Sequence, residues 1–168
     1  MLLCKKAILV EGASDELVIQ KAYMETHDGR LPIQDNVDVI SVGTSFLRFL
    51  ELASVLEVKV AVVTDNDGDI EALKRKYSDY LGDNQKSNIR ICFDDTIDTG
   101  DLKIGKSDYN YNTLEPKIIK ANKENLELFN NLFQTQYENV DDLRKYMKHH
   151  KSECAMAIFD TDKKSYIS

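Results

Sequence analysis

The sequence predicts an α/β fold, a mostly parallel sheet with helices on both faces, and two observations predict it. Apolar runs of strand length alternate with longer segments of helical period, the order that crossover connections impose on parallel strands. With 168 residues, 42% of them hydrophobic, the chain is long enough to bury one real core. In order, "KAILVEG" reads as a buried strand breaking at Gly12, and "SDELVIQKAYMET" as a helix with Ser14 as N-cap and Asp15 and Glu16 in its first turn. "HDGRLPIQDN" is a loop and "VDVISVG" a second strand. "TSFLRFLELASVL" is a helix with an apolar stripe through Phe46, Phe49, Leu50 and Ala53, and "VKVAVVTD" is a third strand. Helix "IEALKRKYSDYL" and strand "NIRICF" complete the series. The stretch "DDTIDTGDLKIGKSDYNYN" is polar and irregular, and from Leu114 onward the pattern is helical. The division expected is an α/β core over 1–113 and a small helical extension over 114–168.

Composition narrows the function. No apolar run approaches the roughly eighteen residues of a membrane span. Met1 to Val10 is too short, and too soon followed by Glu11, to be a signal peptide, so a soluble cytoplasmic chain is expected. Cys4, Cys92 and Cys154 are odd in number and widely spaced, which predicts reduced, mostly buried thiols. A net charge of −7 argues against a general nucleic-acid coat but leaves room for a local basic track or a metal-bridged contact.

The chemistry concentrates in "VVTDNDGD", where Asp65, Asp67 and Asp69 alternate after an apolar run. Two like charges about 4 Å apart repel by roughly 1 kcal/mol in water and about 4 kcal/mol at a protein-like dielectric. Something positive is expected there. Ligands of such sheets collect outside the carboxyl ends of the strands. If the first and third strands are neighbours, Glu11, Asp65 and Asp67 converge on one rim, a hard-oxygen set that suits Mg²⁺ or Mn²⁺. An EF-hand does not fit, because counting from Asp65 places Ile70 and Lys76 where glycine and glutamate are required. A D-x-D-G phosphatase of the haloacid-dehalogenase type would use Asp65 as nucleophile and Asp67 as general acid. That family carries its motif on the first strand, whereas two strand–helix units precede it here. A plain acidic turn capping the helix that starts near Ile70 is the bland alternative.

"VEGASD", "SVGTS" and "TDNDGD", in this order and each at a strand end, resemble the Rossmann-like Toprim domain of topoisomerases, primases and a group of nucleases. Its signature glutamate, glycine and D-x-D pair correspond to Glu11, Gly43, and Asp65 with Asp67. "NTLEP" and "HHKSECAMAIF" are similar to later motifs of the overcoming-lysogenization-defect (OLD) endonucleases, matching at Glu115 and Lys151. The resemblance implies metal-dependent DNA endonuclease activity, with Glu11, Asp65 and Asp67 on the principal ion and Asp15 and Glu115 helping with a second. One ion would lower the pKa of the attacking water, the other would steady the leaving oxygen, and Lys151 would neutralise charge on the phosphate. Asp69 extends the D-x-D pair as a further candidate ligand. The resemblance also implies DNA and an ABC-type ATPase domain or subunit as partners, a possible homo-oligomer, and a setting in phage defence. The alternative from another class is a non-catalytic metal- and DNA-binding or assembly module. A primase or topoisomerase fits less well, since no zinc-binding domain, winged helix or strand-passage tyrosine context is visible.

Two look-alikes are set aside. "GDLKIGKS", Gly100 to Ser107, fits the P-loop pattern but lacks a buried strand before it and a helix after it, so a surface hairpin or loop and no bound nucleotide are expected. His149, His150 and Cys154 lack a complete zinc set, and the histidines suit a helix C-terminus. Lys117, Lys120, Lys123, Arg144, Lys145 and Lys148 could flank a phosphate backbone or form a solvated face.

Overall fold

A computed structural model of the chain describes residues 5–161; Cys4 lies outside them. Four strands, β1 (Lys6–Val10), β2 (Val37–Ser41), β3 (Lys59–Val63) and β4 (Ile89–Cys92), form a parallel sheet in the order β2-β1-β3-β4. Lys6 is in register with Val37 on one side and Lys59 on the other, so the carboxyl ends of β1 and β3 lie side by side.

The helices between these strands are α1 (Ala13–Thr26), α2 (Phe46–Leu56) and α3 (Ile70–Lys76). From β1 the chain moves one way across the sheet to β2, then back past β1 to β3. Right-handed crossovers therefore set α1 on the face opposite α2 and α3. Two hydrophobic clusters follow from this. In the first, Ala7, Leu9, Val60, Val62 and Ile89 of the sheet meet Phe46, Leu50 and Ala53 of α2, Leu73 of α3, and Tyr77 just after it. The α2 residues recur at helical spacing, and each large side chain buried this way contributes about 1.5–3 kcal/mol. In the second, Val18 of α1 packs with Ile118, Ile119, Phe129, Leu143, Met147, Cys154, Ala155 and Ile158. These come from α4 (Leu114–Ala121), α5 (Leu126–Phe133), α6 (Val140–His149) and α7 (Lys151–Asp160). The helices after residue 113 thus close over α1. Lys21 of α1 is buried there and donates to the Thr161 carbonyl at the end of α7, where a cation meets the negative end of a helix.

Two local expectations are corrected. Helix α1 begins at Ala13 with Gly12, not Ser14, as its N-cap, because the Asp15 carboxylate reaches back to the Gly12 N–H at 2.8 Å and does the capping. Cys92 is exposed while Cys154 is buried. β4 is an edge strand, and alternation turns Cys92 with Arg90 away from the cluster that takes Ile89 and Ile91.

The stretch "GDLKIGKS" forms a hairpin, β5 (Lys103–Ile104) and β6 (Ser107–Asp108), turning at Gly105 with φ +64°. Its first glycine serves packing: a Cβ on Gly100 would overlap the Tyr111 ring, whose hydroxyl accepts from the Leu102 N–H at 3.2 Å and whose face carries the Arg144 guanidinium at 5.2 Å. Gly100→Ala should therefore cost about 1–3 kcal/mol in chemical denaturation. Lys106→Ala should stay within about 0.5 kcal/mol, and ATP should leave the wild-type melting curve unmoved. Among the described residues no helix is long and apolar enough to cross a membrane.

Candidate active site

The switch in chain direction between β1 and β3 opens a crevice at their carboxyl ends, the place where such sheets take ligands. Glu11 follows β1 directly. After β3 the chain passes through Thr64 and Asp65 into a tight turn in which Asp67 and Gly68 have φ of +51° and +81°. Aspartate tolerates that region better than most residues. At position 68 any side chain would be strained, and its Cβ would press on the Asn112 amide nitrogen at 3.3 Å. Asp69 then accepts from the Ala72 N–H at 2.8 Å and caps α3.

Asparagines hold this turn in place. Asn66 is buried; its amide donates to the carbonyls of Asp94 (2.7 Å) and Thr96 (2.9 Å), and its oxygen accepts from the Gly68 N–H (2.9 Å). The loops after β3 and β4 are thereby joined. Asn110 donates to Asp67 at 3.0 Å, while Asn112 binds the backbone N–H (2.7 Å) and C=O (2.9 Å) of Asp98. Asn66→Ala strands the Asp94 carbonyl and the Gly68 N–H and leaves the Thr96 carbonyl to Lys117 alone, so it should cost about 2–3 kcal/mol by denaturation and loosen Asp67.

The helices after residue 113 bring the remaining candidates. Glu115, in the first turn of α4, is buried; it accepts from the Thr113 hydroxyl at 3.2 Å and from Lys151 at 2.9 Å. Lys151 opens α7 with its side chain half exposed. Glu11, Asp15, Asp65, Asp67, Glu115 and Lys151 all line one cavity of about 290 Å³. Three helices, α1, α4 and α7, start at or beside its wall, so the positive ends of their dipoles partly offset the carboxylates. Asp69 stands apart, spent on its cap and lining a neighbouring cavity.

The electrostatics show strain among like charges. Burial, then the charges of Asp15, Asp67 and Glu115, push Asp65 up to about 7, although the Leu114 N–H works the other way. Burial and Glu115 also raise Asp15, against the pull of the Gly12 N–H and Lys151. Burial opposes the charge on Lys151, but Glu115, Asp15 and Asp65 outweigh it and hold its pKa above the usual lysine value. Five carboxylates thus share one ammonium around the cavity. By donor chemistry, hard oxygens with excess negative charge, the set fits a divalent cation. Among the described residues, however, no three His, Cys, Asp or Glu side chains are gathered closely enough to hold an ion as they stand. All of the ligand set expected from sequence except Asp69 is brought to one cavity, but it is not drawn into a shell.

Most of the basic tail is already engaged. Lys117 bridges Asp94 (2.7 Å) and Asp98 (2.8 Å), Lys120 joins Asp98, Arg144 pairs with Asp141 (2.8 Å) and Glu124, and Lys145 pairs with Asp142 (2.9 Å). The Lys117 hydrogen bond holds Asp94 down to about 2. Lys148 lies 5.8 Å from the Tyr109 ring centroid. The expected phosphate track is therefore largely an ion-paired surface. His149 ends α6, and His150 follows as its C-cap, stacked on Tyr146. Asn66, Asn110, Asn112 and Thr113 are the site-building residues that the sequence reading missed; the asparagine-rich run before "TLEP" is a visible signal for Asn110 and Asn112 alone.

Comparison with known proteins agrees with this fold. Residues 2–67 match the family model of the TOPRIM domain of overcoming-lysogenization-defect-like proteins. No curated protein matches. Two solved structures of the C-terminal region of the Xanthomonas campestris pv. campestris OLD protein, phased with iodine and with mercury, are similar in fold. The first has a TM-score of 0.55 over 99% of this chain and 92% of that one, the second 0.56 over 100% and 91%, both at 14% identity. Toprim domains generally bind divalent metals, and the OLD type suggests a nuclease-type function. Residues 2–67, then, match the TOPRIM domain of the OLD-like family, and the whole length shares the fold of the C-terminal region of an OLD protein.

Proposed function

We propose that the chain is a divalent-metal-dependent DNA endonuclease that hydrolyses phosphodiester bonds at the cavity between β1, β3, α4 and α7. One observation carries this reading: five carboxylates and a lysine, spread from residue 11 to residue 151, line a single cavity in which their charges do not balance. Glu11, Asp65 and Asp67 would hold a principal ion, with Asp15 and Glu115 available to a second. Mg²⁺ or Mn²⁺ bound there supplies Lewis acidity, making water nucleophilic at neutral pH and neutralising phosphate charge.

The chain's own residues do the rest. Asp15 is fixed in direction because one of its oxygens stays on the Gly12 N–H. Glu115 holds the Lys151 ammonium at the cavity wall, where that ammonium offsets charge growing on the phosphate as the water attacks. Asn110 steadies Asp67. We further propose an ABC-type ATPase domain or subunit as partner, DNA as substrate, homo-oligomerisation and a cytoplasmic setting such as phage defence.

A second reading, a metal- and DNA-binding assembly module without catalysis, draws on the Lys151–Glu115 pair, which leaves the ammonium engaged. Nicking of supercoiled plasmid with Mg²⁺ or Mn²⁺, set beside a gel shift in Ca²⁺, separates the two. Cleavage that is lost in Asp65→Asn supports the nuclease. A shift without cleavage under either metal supports the module.

A further inference from the structure

The carboxylate ridge has a second side. Beside the cavity of Lys151, a second hollow of about 260 Å³ opens toward α3; it shares Glu11, Asp65 and Asp67 with that cavity and has Asp69 on its own wall. None of the expected site residues explains its far wall, which is built from Lys76, Tyr77, Thr44 and Leu73. Lys76, exposed at the last position of α3, has its ammonium 5.4 Å from the Phe46 ring centroid and 5.1 Å from that of Tyr77. Those contacts hold it beside the hollow without neutralising it. The Tyr77 ring is 1% exposed, yet its hydroxyl is buried with no well-formed hydrogen bond among the described residues. The Thr64 side chain is near enough to favour the ionised phenol, but its hydroxyl is directed to the Asp65 carbonyl at 3.4 Å. A buried phenol normally finds a partner, so an orphaned one beside a hollow points to a group that arrives from outside. Thr44, in the loop that follows β2, adds a second hydroxyl.

We propose that this hollow is a nucleic-acid subsite, taking the backbone phosphate and sugar next to the bond that is cut. Lys76 meets the phosphate as a point charge, the hydroxyls of Tyr77 and Thr44 donate to its oxygens, and the Leu73 side lies against the sugar. This deepens the endonuclease reading and rests on it. A strand laid across the ridge then meets one ammonium on each side, Lys151 in one cavity and Lys76 in the other. A single cation with two neutral donors reads the backbone and not the base, so the subsite binds without sequence preference.

The test is binding of a short fluorescent duplex oligonucleotide in Ca²⁺, measured against salt concentration. Lys76→Gln should weaken binding by about tenfold and flatten the dependence of log K on log salt by about one unit. Tyr77→Phe should weaken it by about threefold without lowering the melting temperature, since the hydroxyl it removes makes no well-formed hydrogen bond among the described residues. Lys74→Gln, on the same helix but paired with Glu71 at 3.2 Å and outside the hollow, should change neither quantity. Wild-type binding with Lys76→Gln unaltered in affinity and salt slope overturns the subsite and leaves the endonuclease reading standing. Failure of the wild type both to bind and to cut overturns the two together. A Tyr77→Phe protein that melts lower and binds as tightly as wild type returns the phenol to the fold and removes it from the subsite.

Discussion

Asp65→Asn should make the metal-free protein more stable above neutral pH, an unusual result for a change at a partly buried acid. In the folded state Asp65 titrates at about 7, raised first by burial and then by Asp15, Asp67 and Glu115, against an ordinary value of 3.8. The folded chain therefore holds a proton that the unfolded chain has already lost between about pH 4 and pH 7. Stability falls with rising pH wherever the native state binds more protons, so the metal-free wild type should weaken across that window and stay weak above it. A tenfold change in acidity between the folded and unfolded chain is worth about 1.4 kcal/mol, which sets a ceiling of about 4 kcal/mol on the whole effect. Asparagine carries no charge and should remove most of this slope. A divalent ion should act in the opposite direction on the wild type, adding about 2.7 kcal/mol at a hundred times its dissociation constant, and the variant should lose that response. Melting curves at pH 5 and pH 8, with and without Mn²⁺, decide it. A variant that is less stable than wild type at pH 8 without metal, and still responds to Mn²⁺, removes Asp65 from the ion site.

Lys151→Met and Glu115→Gln should part company. Methionine keeps the stem and removes the charge, so plasmid cleavage should fall by about 10² to 10³, the loss typical of an electrostatic stabiliser. It also leaves Glu115 buried without its cation. Stranding one member of a fully buried pair costs about 3–5 kcal/mol; because the lysine is half exposed, about 1–2 kcal/mol is expected here. Metal should restore that loss, so the Mn²⁺-induced rise in melting temperature should be larger than in wild type. Glu115→Gln relieves repulsion instead: metal-free stability should hold or improve, while both the Mn²⁺ response and the cleavage rate decline. Cleavage by Lys151→Met within about threefold of wild type amounts to less than about 1 kcal/mol of barrier and leaves this lysine no catalytic part.

What could be read in the sequence depended on range. Strand β3 and helix α2 are written in local periodicity, and the structure returns both within a residue or two of the expected bounds. The convergence of Glu11 with Asp65 followed from a general rule about parallel sheets once β1 and β3 were assumed to be neighbours, which they are. Glu115 and Lys151 were reachable only through resemblance, since no spacing rule links residue 151 to residue 11. The Asn66, Asn110 and Asn112 network was illegible because its partners are mostly backbone groups of other loops, and asparagine in a loop has many uses. The start of α1 slipped for a related reason: a serine looks like a cap, but Asp15 three residues past Gly12 took the task while also facing the cavity.

The packing of α7 along α1 bears on how the molecule is made. Lys21 and Thr161 are 140 positions apart, so the two helices can meet only after a very large loop closes. The sheet is assembled from residues before 93 and can form before the later helices are made, whereas Val18 has no cover until α4 to α7 follow. Such distant contacts come late in folding. The acidic rim is therefore present well before its ammonium, and a nascent or truncated chain carries the carboxylates without Lys151. Lys151 joins the rim in one closing step, when α7 docks along α1.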